Sequence, residues 1–208
     1  SGIRWVRNTP DMTAASSIAQ SNHGNYDLHL ALHSNAAPEG EAGLRQGSEV
    51  YYYPTSAAGK RAADIIAENL KEIYPYPWLV KTVPTTRLGE VAKTRAPGVL
   101  IEFAYHDNLE DAEWIKANIA EIAANVAYSL TDYFGIPFVL PQAPRRGTVV
   151  VRSGWLNIRQ FPSTESQSIA RAWNGDPIIV NGQWNNWYVV NFRGTVGYAD
   201  SRYIRIPR

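Results

Sequence analysis

The sequence predicts an α/β domain, a mainly parallel sheet with flanking helices, followed by a small all-β unit. Three observations carry that reading. Mostly apolar runs at 27–33, 48–53 and 99–103 alternate with segments of helical periodicity, which is the pattern of a layered α/β domain. The texture changes after Gly135, where Pro137, Pro141 and Pro144 fall within a few residues of one another. Beyond them come short alternating runs separated by Gly, Asn, Ser and Pro, the spacing of a small antiparallel barrel or sandwich.

Taken in order, the β-prone run Ile3–Arg7 closes at Asn8-Thr9-Pro10-Asp11 and predicts a strand, a turn and then a helix over 13–20 that ends at Asn22 and Gly24. Asp27–His33 is mostly apolar between polar loops, as a strand covered on both faces should be. A further strand is predicted over 48–53. In 57–73, Ala62, Ile65, Ile66, Leu70 and Ile73 recur at helical spacing and predict an amphipathic helix. Val99–Phe103 is another buried-type strand, and the three-to-four spacing of Ile115, Ile119, Ile122, Val126, Leu130 and Tyr133 predicts one helix over 109–133. The domains are then 1–136, a proline-rich linker 137–146, and 147–208, with C-terminal strands at 148–152, 156–159, 177–180, 187–192 and 197–199.

Composition narrows the function. A formal net charge of +1 without a Lys/Arg run gives no pull toward nucleic acid. No apolar stretch approaches the roughly 20 residues of a membrane span, and the opening residues lack the layout of a signal peptide. With no cysteine, only His and carboxylates remain as metal ligands.

Two polar side chains stand at the ends of apolar strands: His33 in His33-Ser34-Asn35-Ala36, and Glu102 in Ile101-Glu102-Phe103. Strand ends of open parallel sheets converge on the ligand crevice. There an imidazole can bind zinc and a carboxylate can take a proton from water; a packed or solvated role is the plainer alternative for either residue. His29 shares the strand face of His33 by period-two alternation and reads as a packed, satisfied core histidine. His106-Asp107 falls in a loop near the crevice. Asp111 and Glu113 read as helix-start charges.

These residues also carry a family resemblance. Asp27–Ala36 resembles the D-L-x-x-S-x-H-x-N-A strand of zinc-dependent N-acetylmuramoyl-L-alanine amidases. Thr94–Asn108 resembles their A-P-x-V-L-V-E-x-G-F-x-S-N strand, and Val6–Asp11 their T-R-x-x-D segment. The resemblance implies that His33 is a zinc ligand, that Glu102 is the catalytic base, and that Asn35 contacts substrate or supports the site. It also implies a first strand and helix carrying the other His and the Glu ligand, which would precede the T-R-x-x-D segment. The expectation is therefore an amidase domain incomplete at its N-terminus, its missing elements either carried on a separate N-terminal fragment or lost by processing. A non-catalytic wall-binding protein is the alternative.

Residues 146–206, with Leu156-Asn157-Ile158-Arg159, Trp187-Tyr188-Val189-Val190 and Gly197-Tyr198-Ala199, resemble bacterial SH3-type wall-binding domains. That resemblance implies an SH3-like barrel. Aromatic side chains offer flat area for sugar faces and peptide stems. Trp155, Trp173 and Trp184, near turns, are the candidate contacts, while Trp187 reads as core and Tyr198 stands as either. Together the two resemblances imply a peptidoglycan hydrolase of the endolysin or autolysin kind, acting extracellularly or in the cell wall.

Overall fold

The computed structural model describes residues 2–140 and 142–207; Pro141, one proline of the predicted linker, lies outside them. The chain divides into two compact units. One is Arg7–Tyr133. The other runs from Phe134 onward and takes in the residues before Arg7.

The first unit contains α1 (Ala14–His23), β1 (His29–Asn35), β2 (Glu49–Tyr52), α2 (Ala57–Lys71), β3 (Lys81–Pro84), α3 (Gly89–Ala92), β4 (Gly98–Tyr105), α4 (Leu109–Ala117) and α5 (Ile119–Phe134). Its four-stranded sheet has the order β1-β4-β2-β3. The β1–β4 and β2–β3 pairs are parallel and β2–β4 is antiparallel, so the sheet is mainly parallel, as the sequence predicts. Alternation then sorts the side chains by face. Val50, Val99 and Ile101 are fully buried on the face toward α2. The opposite face carries one apolar row, Ala31, Leu100 and Tyr51, packed against Val91 of α3. The next row along the strands is polar: His33, Glu102 and Glu49, register partners across three strands.

Three expectations change. Ile3–Arg7 forms no strand. Trp5 and Val6 are exposed, and β propensity makes a strand only where a neighbour takes its backbone groups. The helix predicted over 109–133 is broken at Asn118, whose side chain bonds the Trp114 carbonyl at 2.8 Å and caps α4 before α5 begins. The strand β3 and the short helix α3 are additional; both are four residues long, too short for a periodic signal.

The second unit contains β5 (Arg145–Val149), β6 (Trp155–Arg159), β7 (Ser168–Trp173), β8 (Pro177–Trp184), β9 (Trp187–Phe192), β10 (Thr195–Asp200) and β11 (Ile204–Arg205). They form one antiparallel sheet in the order β11-β5-β8-β9-β10-β6-β7. Leu156 and Ala172, at one end of that order, share a single apolar core with Val149 and Ile204 at the other. The sheet therefore curls round on itself as a small barrel.

Candidate functional site

The polar row of the first sheet is the candidate site. Glu102 lies between His33 on β1 and Glu49 on β2. Its Oε2 is buried and has no hydrogen-bond partner among the described residues. Burial pushes the Glu102 carboxyl up, nearby Glu49 adds to the shift, and His33 and His106 oppose it. Glu49, by contrast, is well supplied: its Oε2 accepts from Asn35 Nδ2 at 3.2 Å and from the Tyr51 hydroxyl. The Tyr51 hydroxyl is pushed well above its usual range by burial and by Glu49.

His33 is held from below. Its Nε2 stands 3.2 Å from Oε2 of Glu90, a carboxylate only 8% exposed on α3. The other Glu90 oxygen accepts from the Ser17 hydroxyl of α1 at 2.9 Å. Val91 packing against Ala31 and Leu100 fixes α3 over this part of the sheet. His29, also on this face, has its Nε2 at 3.4 Å from Glu90 Oε1 but makes no hydrogen bond there. It is packed yet unsatisfied, which corrects one half of the sequence reading. Burial lowers its pKa against the opposing pull of Glu90.

The strand end is bent to open the row. The β1–β4 register shifts between His33 and Asn35, and buried Ala104 adopts φ 64. A non-glycine residue in that region costs about 1–3 kcal/mol and marks a site where surrounding structure imposes the backbone. Just beyond, His106 Nδ1 lies 3.0 Å from the Ser34 hydroxyl. Asp107 Oδ2 accepts from the Ala37 amide at 3.0 Å.

Asp111 stands in the first turn of α4, the helix start that the sequence suggests, and it does more than complement the helix N-terminus. It is almost completely buried and accepts from the Tyr74 hydroxyl at 2.5 Å, Tyr105 N at 3.0 Å and Gly47 N at 3.1 Å. A carboxylate so fully satisfied is a structural tie. Glu102, by contrast, keeps a buried oxygen without a hydrogen-bond partner among the described residues.

A catalytic zinc takes three protein ligands. Among the described residues no group of three or more His, Cys, Asp or Glu is arranged to hold a metal. His33 alone stands where the amidase resemblance puts a ligand, and its Nε2 faces Glu90.

In the second unit Trp155, Trp173 and Trp184 are all exposed. Trp155 and Trp173 are register partners with ring centroids 5.5 Å apart, and the Arg171 guanidinium lies 4.3 Å over Trp155. Trp184 pairs instead with Trp187 across the β8–β9 hairpin. Only Trp155 of the three lines the groove of about 640 Å³ on this unit, beside Trp187, Tyr203 and Arg159. Trp187 is half-buried rather than core, and Tyr198 is core. Sequence reasoning missed Glu90, Ser17 and Glu49. Glu49 carried a usable signal, a carboxylate inside a β-prone run; Glu90, in a four-residue helix, carried none.

Comparison with known proteins agrees with this architecture. A family model for N-acetylmuramoyl-L-alanine amidase matches residues 3–132, and one for the bacterial SH3 domain matches residues 154–205. No curated protein is a significant match. Among solved structures, the chain is similar to the catalytic domain of the CD27L endolysin targeting Clostridia Difficile, with 29% identity and a TM-score of 0.50 over 57% of this chain and 62% of that one. It has the fold of the CwlD amidase from Clostridioides difficile, solved in complex with the GerS lipoprotein (17% identity, TM-score 0.53, 58% and 61% covered). The amidase Ami1 from Mycobacterium smegmatis shares that fold (16% identity, TM-score 0.51, 64% and 65% covered). The chain thus spans less than two thirds of each of these relatives. With more than half of its length matched, the chain belongs to the N-acetylmuramoyl-L-alanine amidase family.

Proposed function

We propose that this protein cleaves the amide between N-acetylmuramic acid and L-alanine in peptidoglycan, with the SH3 unit holding the wall. The observation that carries the reading is Glu102: a carboxyl pushed up by burial, with an unpartnered oxygen, beside an exposed imidazole. Such a group takes a proton from an attacking water and returns it to the leaving amine nitrogen. In this reading Asn35, bonded to Glu49 at the edge of the row, contacts the substrate. In this reading His33 is one zinc ligand, and the remaining ligands come from outside residues 1–208, on a fragment that completes the domain. The work site is extracellular, at the cell wall.

The test is release of new amino termini from purified sacculi. Glu102→Gln should lower it at least about 100-fold while leaving sacculus binding intact. Equal activity in the variant would sink the assignment.

A second reading rests on the same chain: a wall-binding protein whose amidase unit is inert. The lack of a three-ligand metal group among the described residues favours it. Elemental analysis of the purified protein separates the two. About one zinc per chain, bound with a ligand set larger than His33, supports the hydrolase; no zinc and no new termini support the binder.

A further inference from the structure

The near-neutral net charge of the chain conceals a sharp division. Residues 134–208 hold nine arginines, no lysine and three carboxylates, a net charge of +6, whereas residues 1–133 carry a net −5. The choice of arginine is informative, because its planar fork matches a carboxylate with two parallel hydrogen bonds. Within the unit two of the three carboxylates are already matched. Asp176 pairs with Arg193 at 3.2 Å, and Asp200 takes Arg202 through both Nη2 at 2.7 Å and Nε at 3.1 Å. Arg152 makes no hydrogen bond or ion pair among the described residues, and Arg159 spends one N–H on the Ser166 carbonyl. Both open into the groove walled by Trp155, Trp187 and Tyr203.

We propose that this groove takes a short extended peptide bearing free carboxylates, which Arg152 and Arg159 read while Trp155 and Trp187 cover the intervening apolar part. The proposal deepens the wall-binding reading and rests on it. Mixed lining decides the ligand class. A phosphodiester polymer would meet the cations but offer little to three aromatic walls, and an uncharged glycan would leave the arginines unmatched. A peptide stem with ionised carboxyl groups uses both surfaces, and amidation of those groups would remove the match.

The experiment is calorimetric titration of the full 208-residue chain with the tetrapeptide L-Ala–γ-D-Glu–L-Lys–D-Ala, both carboxylates free, and with its doubly amidated counterpart. Whole sacculi are sedimented with the protein in parallel. The free peptide should bind about 10-fold tighter than the amidated one, and added salt should erase the difference. Arg152→Ala should cost the free peptide about 10-fold and the amidated one nothing, and Arg146→Ala, outside the groove lining, should change neither. Equal affinity for the two peptides, or an Arg152→Ala loss common to both, overturns the proposal. So does binding of poly(glycerol phosphate) by a chain that ignores both peptides. Sacculi bound while neither peptide is would leave the wall-binding reading standing and remove this one. Sacculi unbound by a chain that still selects the free peptide would remove the wall reading and support the groove's chemistry.

Discussion

The two units differ most in what they bury. Every buried polar or charged side chain among the described residues, from Ser17 and Glu90 to Asp111 and Thr131, belongs to the first unit, whereas the core of the second is aliphatic and aromatic throughout. The first sheet carries a row of ionisable groups, and each buried polar group there needs partners. The second keeps its polar chemistry on the surface, in arginines and exposed tryptophans around a closed apolar barrel. Stability in the first unit should therefore answer to lost hydrogen bonds, and in the second to lost volume.

The sharpest test is Asp111→Ala. It strips one acceptor from Tyr74, Tyr105 and Gly47 together, and each donor left buried and unpaired costs about 1–3 kcal/mol. A loss of about 4 kcal/mol is expected in the first unit alone, read by residue-resolved hydrogen exchange. A loss below about 1 kcal/mol would mean that water replaces the carboxylate and that the polar interior is not specified by this residue. Glu90→Ala is the milder version, because it removes the acceptor of Ser17 and the partner of His33. About 2 kcal/mol is expected, with the imidazole ¹⁵N shifts of His33 and His29 both moving. Unmoved shifts would show that the carboxylate does not orient the rings. In the barrel, Ile158→Val deletes one methylene from a fully buried site and should cost about 1 kcal/mol, leaving exchange in the first unit unchanged.

How much of this was legible in the sequence follows the same division. Long periodic segments such as α2 and the apolar runs of β1 and β4 declared themselves, because a buried face imposes its period on the residues. The same runs exposed His33 and Glu102 as polar exceptions at strand ends, and the parallel register of β1 and β4 makes them neighbours. Glu90 could not be seen that way. It reaches the site from a four-residue helix placed by the packing of Val91, and packing between distant segments leaves no local pattern. The charge division was countable but hidden by its own cancellation: −5 and +6 sum to a value that suggests no electrostatic role at all.

The smallest expected effect turns on the sign of the Glu102 shift. Burial holds its carboxyl above the ordinary value of 4.5 in the folded protein. As pH rises through 4.5 the unfolded chain releases its proton first, so ionisation favours unfolding until the folded pKa is passed. The cost then stays constant to neutral pH. A glutamine at this position has nothing to release, so Glu102→Gln should raise Tm at pH 7 by about 2 °C. The gain should shrink toward zero as pH falls to 4.5 and below. Groups selected for chemistry are often held at such a cost to stability, and the apolar barrel offers no position that would behave alike. A stability gap between wild type and variant that is flat across pH, or that widens in acid, would mean that Glu102 is not strained by burial. The row of His33, Glu102 and Glu49 would then lose the feature that sets it apart from the satisfied carboxylate of Asp111.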